Sequence, residues 1–139
     1  MEQSDRTAGG EPRRDLLECR IEENPEVVLL HVRGEVDLFT TPVLRSHLQF
    51  LVEQGKNVAV VLTEVQFIDL AGIRALEECH RLAQERGSRV VLASPSTVVR
   101  RVFEILGIQR TVDVLPTKAA ALSHLRSGTS VEGAPPGEC

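Results

Sequence analysis

A buried strand followed by an amphipathic helix is predicted within residues 57–87, whose sequence is NVAVVLTEVQFIDLAGIRALEECHRLAQERG. Residues 57–63 contain a short, continuous apolar run, which is typical of a strand covered on both faces. Asp69 is placed to cap a helix that extends to about Arg86, and Gly87 favours its end. This strand and helix together predict one unit of an α/β sheet.

The predicted helix has two distinct faces. At 100° per residue, its small and apolar side chains gather on one side: Gly72, Ala75, Leu76, Cys79, Leu82 and Ala83. Its charged side chains fall opposite: Arg74, Glu77, Glu78, Arg81 and Glu85. We therefore expect one buried face, with Cys79 at its centre as a small buried hydrophobe.

Strand patterns also occur before and after this unit, in residues 16–21, 26–36, 89–94 and 111–115. The turn Asn24-Pro25 separates the first two and predicts a hairpin. Strands and helices alternate after that hairpin, in the order β-β-α-β-α-β-α-β-α. Because strands separated by helices require parallel crossovers, the sequence predicts an α/β sheet with an antiparallel edge at most.

Three further helices complete the pattern. Thr41 is the predicted N-cap of the first and Pro42 its first helical residue, with Gly55 at its end. The helix after residues 89–94 ends at Gly107, and the last helix starts at Pro116-Thr117. Their predicted buried faces are Leu44, Leu48 and Leu51; Val98, Val99, Val102, Phe103 and Leu106; and Ala121, Leu122 and Leu125.

Size and composition favour one cytoplasmic domain. The chain has 139 residues, and its net charge of -4 gives no reason to expect nucleic acid or an anionic membrane as partner. No apolar run approaches the roughly 20 residues of a spanning helix, and the polar N-terminus lacks a signal-peptide core. Residues 1–14 and 127–139 are predicted to be disordered, which leaves a folded domain over 15–126.

The three cysteines, Cys19, Cys79 and Cys139, are far apart in the sequence. They show no zinc-ligand spacing, and an odd number argues against a disulfide framework. We therefore expect reduced thiols, no metal and no cofactor.

Three local signatures lie on these elements. They are GEVD (34–37) at the end of the second strand, FIDLAG (67–72) after the third, and SPSTVVRRVFEILGI (94–108). In this order they resemble the STAS domain, and within it the bacterial anti-sigma factor antagonists. The resemblance covers about residues 15–126 and implies a mixed, mostly parallel sheet of about five strands with about four helices.

In that family, short members bind a cytosolic anti-sigma factor, usually a histidine-kinase-like ATPase that is also a serine kinase. Binding makes it release its sigma factor, and phosphorylation of the antagonist ends the interaction. The phosphorylated serine directly follows the Asp of an Asp-Ser-Ser/Thr-Gly motif. Here the matching position is Leu70, followed by Ala71, and neither accepts a phosphate, whereas Asp69 and Gly72 remain. Val61 stands where many members carry an acidic residue.

The resemblance therefore implies an anti-sigma factor antagonist without the usual phosphorylation switch. Its implied partner-binding residues are Asp37, Leu38, Phe39, Asp69, Leu70 and Gly72. From the residues alone, Asp69 is an N-cap, Asp37 a turn residue and Gly72 a point of close packing. Thr40, Thr41 and Ser96 stay open as other phosphate acceptors.

The surroundings of Leu70 leave two arrangements open. Leu38 and Phe39 follow GEVD in a predicted loop, which the fold would bring near Leu70. Either these side chains form an exposed contact patch, or Phe39 folds under the loop and Leu70 packs on it. Val43 and Phe50 lie off the buried stripe of their helix, so they either extend this surface or pack against another helix.

Two other functions remain open: a STAS scaffold component of a signalling complex, and a small-ligand or nucleotide sensor. An enzyme is not expected, because the chain has no Gly-rich phosphate loop, nucleophile elbow or clustered acid/base pair. Thr63 and Ser94 lie near strand ends, where isolated hydroxyls are weak signals of a ligand site.

Overall fold

The computed structural model describes residues 17–127, and it contains the predicted order of strands and helices. The strands are β1 (Glu18–Glu23), β2 (Val28–Val36), β3 (Val58–Ile68), β4 (Val90–Ala93) and β5 (Val114–Leu115). The helices are α1 (Thr41–Glu53), α2 (Leu70–Glu85), α3 (Thr97–Leu106) and α4 (Lys118–Arg126), with a short 3-10 helix, Ile108–Arg110, before β5. Apart from Ser127, the predicted disordered ends lie outside the described residues.

The five strands form one mixed sheet in the order β1-β2-β3-β4-β5. β1 pairs antiparallel with β2, and every other neighbouring pair is parallel. The predicted fold class, with a single antiparallel edge, is confirmed.

Helices cover the two faces of the sheet unequally. α1, α2 and α3 pack on one face, where they share a core with strand residues such as Leu30, Val60 and Leu92. α4 packs on the other face through Ala121 and Leu125. Because neighbouring strand residues point to opposite faces, the two cores separate along each strand. None of the helices within residues 17–127 is long and apolar enough to cross a bilayer.

β3 is longer than the sequence predicts. The expected strand, residues 57–63, ends too early, because the observed strand continues to Ile68 and contains the first two residues of FIDLAG. The core beneath α4 ends at Val61 in this strand. Beyond it Glu64 and Gln66 are exposed, so the apolar run stops although the strand does not.

Two helix predictions need correction. α1 begins at Thr41, and its N-cap residue is Thr40 rather than Thr41, since the Asp37 loop already turns into the helix. On α3 only Val99 and Phe103 are fully buried, while the predicted core residues Val98 and Leu106 are about half exposed. The face that α3 buries against the sheet is therefore narrower than the apolar face predicted from its sequence. The predicted buried face of α1 is confirmed. That of α2 is confirmed except for Leu82, which is partly buried, and α2 also buries Ile73.

Gly72 allows the start of α2 to lie against the sheet. A Cβ atom at this position would stand 2.5 Å from Cγ1 of Val36 and 2.9 Å from Cγ1 of Ile68. Real side chains essentially never approach so closely, so any larger residue would push the helix away from the ends of β2 and β3. The close-packing role predicted for Gly72 is confirmed.

Gly72→Ala is expected to lower the free energy of unfolding by about 1–3 kcal/mol, because the added methyl group overpacks a filled site. Urea unfolding followed by circular dichroism measures this change. Val36→Ala removes the nearest clashing atom and provides the matched background. Gly72→Ala should cost clearly less there, and an equal cost in both backgrounds would refute the steric explanation.

Candidate functional site

The candidate site lies where β2 and β3 end side by side. Val36 and Ile68, the last residues of these parallel strands, are partners in the sheet register. The backbone N–H of Asp69 donates to the carbonyl oxygen of Val36 at 3.0 Å. The two segments that follow, which begin at Asp37 and Asp69, are therefore held at the same edge of the sheet.

Asp37 organises the first segment. Its Oδ1 accepts hydrogen bonds from the backbone N–H groups of Phe39 and Thr40, both at 2.9 Å. The Thr40 hydroxyl accepts from the Asp37 N–H at 2.9 Å and donates to the Glu35 carbonyl at 2.7 Å. The backbone polar groups at the base of the loop are satisfied internally, which is the turn role predicted for Asp37.

Asp69 caps the second segment, as predicted. It has extended backbone angles, and its Oδ1 accepts from the N–H groups of Ala71 at 3.0 Å and Gly72 at 3.3 Å. The carboxylate thus occupies two of the donors that an unoccupied helix N-terminus would offer to an anion. Leu70, the first residue of α2, follows this cap directly, and 52% of its surface is exposed.

Both segments present apolar side chains to solvent. Leu38 is 67% exposed, Phe39 82% and Leu70 52%. We call these three residues the apolar end patch. Phe39 does not fold under the loop. Of the two arrangements left open by the sequence, the structure therefore shows the exposed patch. Exposed apolar groups clustered at one edge are characteristic of a protein-binding surface.

The remaining implied residues have structural roles at the same edge. Asp37 and Asp69 are partly buried and fix the two backbones, while Gly72 is buried against β2 and β3. Ala71 is partly exposed beside Leu70. Val61 is buried beneath α4, away from this edge. Sequence reasoning names Thr40 only as a possible phosphate acceptor and misses the role of its hydroxyl in the loop, for which its position three residues after Asp37 is the signal.

The Thr63 and Ser94 hydroxyls bind each other, and the two described cysteines, Cys19 and Cys79, are wholly or partly buried. Thr63 donates to the carbonyl oxygen of Ser94 at 3.0 Å, and its oxygen lies 2.9 Å from the Ser94 hydroxyl, so these groups bind each other. Burial raises the pKa of both Cys19 and Cys79 to about 11, which keeps the thiols protonated at neutral pH. Cys139 lies outside the described residues. Within residues 17–127, no three His, Cys, Asp or Glu side chains are grouped to hold a metal ion.

Comparison with known proteins identifies the class. Residues 18–121 match the STAS domain, so the chain belongs to the STAS domain family. It is similar to the anti-sigma-B factor antagonist of Bacillus subtilis, with 27% identity over 94 residues that make up 68% of this chain and 86% of the relative.

Solved structures agree with that family. An anti-sigma factor antagonist from Mycobacterium paratuberculosis has a TM-score of 0.69 and 28% identity, covering 81% of this chain and 96% of that one. The unphosphorylated form of the anti-sigma factor antagonist SpoIIAA shares the fold, with a TM-score of 0.66 and 22% identity. The match covers 81% of this chain and 100% of that one.

Asp69→Ala is expected to destabilise the protein by about 1 kcal/mol, because it removes the acceptor at the start of α2. Asp69→Ser retains an oxygen at the cap and is the matched control, for which we expect a smaller loss. Chemical denaturation of the three proteins measures the difference. Equal stability of wild type and Asp69→Ala would show that the cap contributes nothing.

Proposed function

We propose that the protein is an anti-sigma factor antagonist that acts in the cytoplasm, binding an anti-sigma factor and so freeing a sigma factor. The observation that carries the proposal is the apolar end patch, exposed beside the Asp69-capped start of α2. The names of the relatives support the same function. The proposed partner is an anti-sigma factor of the histidine-kinase-like ATPase type.

Leu70 makes the proposed contact independent of phosphorylation at this position. A serine here could carry a phosphate, which adds about -1.5 to -2 charge at neutral pH and would oppose a packed partner surface. Leu70 and Ala71 have no hydroxyl group, so the surface stays apolar. Burying a side chain such as Leu70 or Phe39 contributes about 1.5–3 kcal/mol when it leaves water. The protein would therefore bind its partner constitutively, and control would lie in its synthesis or in the state of the partner.

The other hydroxyls considered from the sequence do not replace the missing serine in this proposal. Thr40 and Thr41 are buried, and the Thr40 hydroxyl already donates to Glu35. The Ser96 hydroxyl donates to the Val65 carbonyl at 2.7 Å and accepts from the Val99 N–H at 3.3 Å. A phosphate on any of the three would disrupt local packing or hydrogen bonds in the folded protein.

A STAS scaffold component remains the second candidate. It is favoured by exposed apolar side chains on α3, namely Val98, Ile105 and Leu106, which lie on a different helix from the apolar end patch. A second apolar surface would suit a protein that assembles with several STAS copies. Light scattering of the isolated protein distinguishes the two, since a scaffold should form large assemblies without an anti-sigma factor.

Leu70→Glu is expected to weaken binding of the anti-sigma factor by about 100-fold or more, equal to about 3 kcal/mol, because it places an unpaired charge in an apolar contact. Calorimetric titration with each purified anti-sigma factor of the source genome measures the affinity. Ile105→Glu places the same charge on α3 and is the control, with binding close to wild type. An unchanged affinity for Leu70→Glu would exclude Leu70 from the interface.

Leu70→Ser tests the lost switch in the opposite direction. If the partner is a serine kinase, this variant should accept phosphate from ATP while the wild-type protein does not. Phosphate incorporation is followed by mass spectrometry of the intact protein. Modification of the wild-type protein on another residue would contradict constitutive binding.

A further inference from the structure

The aromatic residues of this chain are unusually exposed. Its only aromatic side chains are four phenylalanines, and Phe103 alone of them is fully buried. Phe39 is 82% exposed, Phe50 55% and Phe67 44%. A large apolar side chain loses the free energy of burial when it stays in water. Three exposed aromatic residues among four therefore indicate a surface that is covered in a complex.

Phe39, in the turn that leads into α1, and Phe50, on α1, lie along one continuous stripe. The Thr41 N–H donates to the Asp37 carbonyl at 2.8 Å, so the helical turn already includes Phe39. At 100° per residue, Val43, Ser46 and Phe50 lie about 40°, -20° and 20° from Phe39 around the helix axis. We call these four residues the α1 stripe. From Phe39 to Phe50 it extends about 16 Å along the helix.

The polar neighbours of the α1 stripe carry little charge. Gln49 carries no charge, the His47 ring lies with its Nδ1 2.9 Å from the Val43 carbonyl oxygen, and the carboxylate of Glu53 stands only at the far end of the helix. Arg45 is directed to α2 instead, where its Nη1 binds Glu78 at 2.6 Å. A mainly apolar strip with few charged neighbours resembles the centre of a protein interface, where charged residues are depleted.

The second helix that starts at the site offers no such strip. After Leu70, the positions on the same side of α2 are Arg74, Glu77 and Arg81, at about 40°, -20° and 20° from it. These side chains are charged, and Glu77 accepts from the Thr111 hydroxyl at 2.9 Å. The apolar surface therefore continues from the apolar end patch along α1 and not along α2.

We infer that the α1 stripe is the second half of the contact with the anti-sigma factor, and that it takes an uncharged apolar helix or groove of that partner. The inference rests on the proposed function and adds the direction in which the partner lies. It commits to the anti-sigma factor because Phe39 belongs to both the apolar end patch and the α1 stripe. A partner that covers Leu38 and Leu70 must therefore meet the first residue of the stripe.

Phe50 gives the decisive test, since it is the member of the stripe farthest from the apolar end patch. Phe50→Ser should weaken binding of the anti-sigma factor by about tenfold or more, because it removes an aromatic contact from the interface. Ile105→Ser is the matched control, since it shortens an even more exposed apolar residue on α3. Its affinity should stay within about twofold of wild type. Both variants replace exposed side chains, so thermal unfolding should show that each is folded.

The titrations use each purified anti-sigma factor of the source genome, with Leu70→Glu in parallel. Loss of binding in both Phe50→Ser and Leu70→Glu supports the inference. Loss in Leu70→Glu alone overturns it and leaves the proposed function standing. If no anti-sigma factor binds the wild-type protein, the proposed function fails and the inference fails with it.

A second copy of the chain is the competing occupant of the α1 stripe. Light scattering of the free protein tests it directly. A wild-type dimer that becomes a monomer in Phe50→Ser, with unchanged affinity for the anti-sigma factor, would assign the stripe to self-association and overturn the inference. A monomer in both proteins supports it.

Discussion

The pairing of Val36 with Ile68 at the ends of two parallel strands determines the position of everything proposed to be functional. The Asp69 N–H donates to the Val36 carbonyl there, and Gly72 lets α2 approach both side chains closely. These contacts complete the parallel pairing of β2 with β3 and hold the Asp37 loop and the start of α2 at one edge of the sheet. The binding surface is thus a consequence of core packing, although its own side chains lie in water.

The backbone of this edge is closed to anions while its side chains are open to apolar partners. The carboxylates of Asp37 and Asp69 accept the N–H groups that a phosphate or other anion would otherwise meet. Leu38, Phe39 and Leu70 remain outside these networks and exposed. Rigid loops that present unburied apolar groups need little ordering when they bind, which favours affinity.

The order of elements could be predicted from the sequence because the apolar pattern follows burial on each element. Prediction from the apolar pattern fails where burial changes along a single strand or helix. β3 loses the cover of α4 beyond Val61 while its other face stays buried, so its apolar run ends before the strand does. On α3, periodicity predicts which side faces the sheet but not how much sheet is available, and Val98 and Leu106 therefore remain exposed.

The candidate site could be predicted only in part for a related reason. The cap at Asp69 and the close approach at Gly72 follow from local rules of helix geometry and sterics. Whether Phe39 and Leu70 lie inside or outside depends on the path of the Asp37 loop. That path is set by hydrogen bonds of Asp37 and Thr40 that no periodicity indicates.

Hydrogen–deuterium exchange of the protein with and without its anti-sigma factor is the most direct test of the central claim. The account predicts that binding slows exchange in residues 37–50 and at the start of α2, the two segments that leave the paired strand ends. Residues of β1 and α4, on the far parts of the sheet, should exchange at unchanged rates. Protection confined to β1, α3 or α4, with residues 37–50 unaffected, would contradict it.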